Sequence, residues 1–76
     1  MKQEWSPAPG DMVFIDRAKQ SRMLHRDPNS ITYCGSLKPE ELAMIIAVLE
    51  KKVVLVLNQR MELGWIFGGF LRHASW

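Results

Sequence analysis

The stretch "ELAMIIAVLEKKVVLVL", residues 41–57, constrains the fold of this chain more than any other part of it. Leu42 to Leu49 is apolar at every position, so neither the 3.6-residue stripe of a surface helix nor the two-residue alternation of a half-exposed strand stands out. The ends suit a helix: Pro39 fits a first turn, Glu40 and Glu41 the positive N-terminus, Lys51 and Lys52 the C-terminus. A helix that is apolar all round must be buried all round, and a chain of 76 residues, which hides roughly 60% of its unfolded surface, has little to bury it in. Two strands reversing at Glu50-Lys51-Lys52 accept the same residues more readily, because one face fills a core and the other meets an arm, a loop or a partner. Val53 to Leu57 is β-branched enough to be a strand on either view. Two strands are therefore expected, with an α+β protein carrying a helix at about 39–51 as the alternative.

The rest of the chain reads as short strands between turns. Pro7 and Pro9 exclude a helix from residues 1–9, which form an extended N-terminal arm ahead of a single domain over 10–76. "GDMVFID", Gly10 to Asp16, has the length and composition of a first strand. Arg17 to Arg26 reads as a loop with at most one helical turn, closed by the turn formers Asp27-Pro28-Asn29-Ser30. "ITYC", Ile31 to Cys34, is a short strand or an extended edge of that loop, and Gly35 ends it. Asn58-Gln59-Arg60 makes the next turn and Met61 to Phe67 the next strand. Gly68-Gly69 interrupts it, Phe70-Leu71 forms a tight 3₁₀ turn, and Arg72-His73-Ala74 is a short edge strand.

Four pieces carry a resemblance: "PGDMVFI" (9–15), "AMIIAVL" (43–49), "VVLVL" (53–57) and "GWIFGGFL" (64–71). In this order, with a long loop after the first, they are similar to the small SH3-like barrels and especially to short uncharacterised proteins of tailed bacteriophages. The resemblance implies an all-β, SH3-like barrel of about five strands. It also implies an accessory or virion-associated role, in the cytoplasm of a host cell or in the virion. An SH3-like fold hosts many functions, so function has to be sought in particular residues.

Composition narrows the classes. Ten Lys and Arg against eight Asp and Glu give a net charge of +2, well short of the strong basic stripe of most nucleic-acid binders. Cys34 is the single cysteine, so no intrachain disulfide forms, and no spacing of His and Cys suits a zinc site or any other metal. The start lacks an apolar run, so no signal peptide is expected, and the longest apolar runs fall short of the ~20 residues of a membrane helix. No membrane, no cofactor and no small-molecule substrate are expected. Cys34 has no base or oxyanion donor placed beside it by the sequence, His25 and His73 read as surface histidines, and the expectation is of a protein that is not an enzyme.

What remains is contact with other macromolecules. Trp65 follows Gly64 on a strand, where it packs against the barrel rim or lines a groove for an extended peptide. Trp5 and Trp76 lie near the ends and, with Pro7 and Pro9 of the arm, are candidate anchors for a protein partner or for self-association. The outer apolar positions of residues 42–57 complete that surface. In the alternative reading Arg17, Lys19, Arg22 and Arg26, with no acid among them, track the phosphates of a nucleic acid. A site shared between subunits of an oligomeric enzyme is a third possibility, without any supporting motif.

Overall fold

A computed structural model describes residues 6–15, 21–29, 31–50 and 53–74. The protein is all-β. Seven strands, β1 (Met12–Ile15), β2 (Arg22–His25), β3 (Tyr33–Leu37), β4 (Ala43–Glu50), β5 (Val53–Leu57), β6 (Leu63–Phe67) and β7 (Leu71–His73), form one sheet in the order β3-β2-β6-β5-β4-β1-β7. Every neighbouring pair is antiparallel. Among the described residues one 3₁₀ turn, Gly68–Phe70, joins β6 to β7; it begins at the glycines rather than at the expected Phe70-Leu71, and Leu71 opens β7.

The sheet curls around its own inner face. Each strand sends at least one side chain to a common core: Val13 and Ile15, Leu24, Leu37, Ala43 and Ile45, Val54 and Val56, Ile66, and Leu71. On β1, β5 and β6 the buried residues alternate with outward ones, as the two-residue strand period requires.

On β4 the alternation is broken twice, which explains the unbroken apolar run. Seven residues of β4, Met44 to Glu50, face five of β5: Met44 pairs Leu57, Ile45 pairs Val56, Ala47 pairs Leu55, Val48 pairs Val54 and Glu50 pairs Val53. Ile46 and Leu49 are the extra residues of two irregularities in register. Each bulge shifts the phase by one position, so the inward set is Ala43, Ile45 and Val48 rather than every second residue. Met44, Ile46 and Leu49 are left exposed. The helix considered for 39–51 is thereby excluded, because residues 43–50 spend their backbone groups on β1 and β5.

The long first connection differs from the expected loop. In place of a loop with a helical turn, its described part forms the hairpin β2–β3, which accounts for seven strands where about five were expected. Gly35 does not end the strand but pairs with Leu24, and β3 continues to Leu37. The hairpin docks on β6 through the pairing of His25 with Trp65. A glycine is needed at the crossing: a Cβ on Gly64 would stand 2.6 Å from Leu24 Cβ and 2.9 Å from Cys34 Sγ. Of the arm, residues 6–9 are described. Asp11 donates its amide to Ala8 O and Gly10 donates to Ile45 O, which ties the chain's entry to β4.

Candidate interaction surface

Outward side chains of β4, β5 and β6 fall into register rows. One row runs Met44, Leu57, Leu63, extended by Met12 of β1; the next runs Ala47, Leu55, Trp65; the third runs Glu50, Val53, Phe67. Ile46 and Leu49, the two bulge residues, add their side chains to the same face. Met44, Leu63 and Phe67 keep 38%, 48% and 45% of their surface in water, and Leu49 keeps 54%. Glu50, at the corner of the face, is the single charged residue on these rows. Isolated exposed apolar residues are ordinary; a contiguous sheet face of them is not.

Beyond β6 the face meets the hairpin. His25 continues the middle row past Trp65, and Tyr33 pairs with His25, the two rings meeting edge to face at 5.0 Å. A groove of about 260 Å³ opens here between His25, Pro28 and Asn29 on one side and Val53, Trp65 and Phe67 on the other. An adjoining hollow of about 270 Å³ is bounded by Arg22, Tyr33, Phe67 and Phe70. Phe67 and Phe70 pack edge to face at 5.4 Å, and the Arg22 guanidinium lies 4.3 Å from the centre of the Phe70 ring. Among the described residues no carboxylate lines either depression.

Trp65 thus faces outward, half-buried, and lines the groove. Pro7 is half-buried and Pro9 exposed in the entry segment. Trp5, Trp76, Arg17 and Lys19 lie outside the described residues. Of the basic run, Arg22 sits on β2 over Phe70, whereas Arg26 is exposed in the β2–β3 turn, its amide donating to Thr32 O. These two are the members of the basic run that the described residues include.

Cys34 is the extra residue of the β2–β3 bulge, and its thiol donates to Leu63 O at 3.2 Å and more distantly to Leu24 O. His73 Nε2 stands 3.5 Å from Asp11 Oδ1, holding the end of β7 against the entry turn. Among the described residues no group of three His, Cys, Asp or Glu side chains is placed to hold a metal ion, and no helix is long and apolar enough to cross a membrane.

A polar cluster below the face went unnoticed in the sequence. Glu41, 8% exposed, accepts the amides of Lys38 and Gln59, each at 3.0 Å, and takes Arg60 Nη1 on both carboxylate oxygens at 3.0 and 3.1 Å. Burial by itself pushes the Glu41 carboxyl up, but the two amides and Arg60 outweigh it and hold the group below its ordinary value. Asn58, also buried, donates to Ser36 O and to Glu62 Oε1 and accepts the amides of Arg60 and Glu62 on Oδ1. That bond from Asn58, with the Ser36 amide and Arg60, lowers the Glu62 carboxyl too. These groups lash the 58–62 turn to the segment after β3, which sets where β5 and β6 begin and end. The hint in the sequence was the turn former Asn58 four residues before Glu62, but their shared partner Ser36 lies 22 and 26 residues away.

Compared with family models, with curated proteins and with solved structures, the chain matched none.

Proposed function

We propose that this chain is a non-enzymatic protein-interaction barrel of SH3-like type, whose contact surface is the outer face of β4, β5 and β6 together with the aromatic groove at the β2–β3 hairpin. The observation that carries this reading is the three apolar register rows, interrupted by a single charge at one corner. Interfaces place large apolar and aromatic side chains at their centres and keep charge at the rim, which is the arrangement of Leu63, Trp65 and Phe67 with Glu50 at the corner. The strand order and the long first connection support the SH3-like assignment. The setting, an accessory or virion-associated protein of a tailed phage or other mobile element, is supplied by the resemblance alone.

The test is contact-specific. A photoreactive residue at position 63 or 44 should yield a discrete protein adduct in cells that make the protein, whereas the same group at Gln59, exposed in the neighbouring turn, should not. If no outer-face position gives a protein adduct, the reading fails.

One observation favours a second reading, single-stranded nucleic acid: Arg22 stacked on Phe70, beside the half-exposed Tyr33, in a hollow with no carboxylate among its described lining. Binding of a labelled oligonucleotide at low salt, falling steeply as salt is added and lost in Arg22→Ala, would establish it over the first.

A further inference from the structure

We infer that the outer face of β4, β5 and β6 is where a second copy of this chain docks, the two sheets packing face to face as a symmetric dimer. This rests on the interaction-surface reading above and names the occupant of that surface.

Charge comes first. With Glu50 alone on the rows, the face offers nothing by which a charged partner could be recognised, so its complement is another uncharged apolar surface. Among the described residues the chain itself carries such a surface, and a two-fold axis brings like to like without juxtaposing opposite requirements.

The area agrees. With side chains of this kind on the order of 150–200 Å² each, Met44, Ile46, Leu49, Leu63 and Phe67 alone leave roughly 350–450 Å² in water, and the half-buried apolar residues of the rows raise that towards the ~800 Å² per partner of a standard interface. Contiguous apolar patches of this size on a soluble protein often mark a contact site.

Shape is the third point. A curled sheet is convex outside, which by itself limits contact with a copy. The middle row rises from Ala47 on β4 through Leu55 to Trp65 on β6, so a two-fold rotation can set the high side of one face over the low side of the other. Sheets packed in this way lie about 10 Å apart with strands near-aligned.

Sedimentation velocity on the full chain from about 1 to about 500 µM reads the association directly, since a dimer follows mass action. The expected result is a species of twice the 8.8 kDa chain mass that grows with concentration. Leu63→Glu and Met44→Glu change exposed positions outside the core, so both should fold, and each should weaken association by about thirtyfold or more by placing an unpaired carboxylate in the interface. Ile31→Glu is the control, because Ile31 is 87% exposed but off the rows; it should leave association unchanged. Circular dichroism melts verify that all three are folded. A chain that stays monomeric throughout the range overturns the inference, as does a dimer equally tight in Leu63→Glu and Ile31→Glu. A monomer that still gives adducts to another protein at position 63 would retire the second copy while leaving the interaction surface standing.

Discussion

Replacing Glu41 by Gln tests the polar cluster that positions the face. The carboxylate satisfies two backbone amides and both oxygens engage Arg60 Nη1, whereas the amide of Gln keeps one acceptor oxygen and turns an NH₂ towards a donor. Hydrogen bonds to a charged group contribute about 1.5–3 kcal/mol each when buried. The Arg60 side chain is 36% exposed, so its share is screened and counts for about 1 kcal/mol or less. The loss at pH 7 should then be about 2–4 kcal/mol, from a total of about 4–11 kcal/mol for a domain of this length. Urea unfolding followed by circular dichroism measures it. A pH series separates charge from packing. Glu41 is lowered on folding, so its contribution is fully present above the ordinary value of 4.5 and is lost as pH falls through the depressed folded value. Wild type and Glu41→Gln should therefore differ most at neutral pH and converge in acid. A difference below about 0.5 kcal/mol at pH 7, or one that does not shrink on acidification, would refute this account of the cluster.

Two further perturbations address the sheet. Gly64→Ala forces a Cβ to within 2.6 Å of Leu24 Cβ and 3.1 Å of His25 O, so it should cost about 1–3 kcal/mol and speed hydrogen exchange in β2 and β3 ahead of β4 and β5; uniform exchange would count against hairpin docking at that point. Deleting Ile46 removes one bulge yet leaves Ile45 and Val48 inward, so it should cost less than about 1.5 kcal/mol, whereas deleting Met44 sets Ala43 beside Ile45, turns one of them outward, and should cost about 3 kcal/mol or more. Equal costs, compared by urea midpoints, would show that the bulges do not set the phase of β4.

Much of this architecture is legible without coordinates. The β-branched run Val53 to Leu57, the turn at Asn58, the glycines at 68 and 69 and the absence of a polar helical face all act locally, through propensity and period, and they suffice for an all-β chain reversing between Glu50 and Val53. The excess of apolar residues in 42–57 over what one small core needs is likewise a property of composition along the chain.

Three matters belong to the tertiary structure. Which apolar residues of β4 face in depends on two bulges, and a bulge is set by how β4 and β5 pair, not by residues 43–50 themselves. The hairpin β2–β3 exists because β6 offers a glycine at position 64 for it to cross, a contact some 40 residues distant from Leu24 in the chain. Glu41, Asn58, Arg60 and Glu62 are ordinary surface residues in the sequence and become one hydrogen-bonded cluster, with Glu41 and Asn58 buried, once two turns meet. Local preference determines what each segment is; long-range pairing, whose energy depends on partners the segment does not contain, decides which side of it faces water.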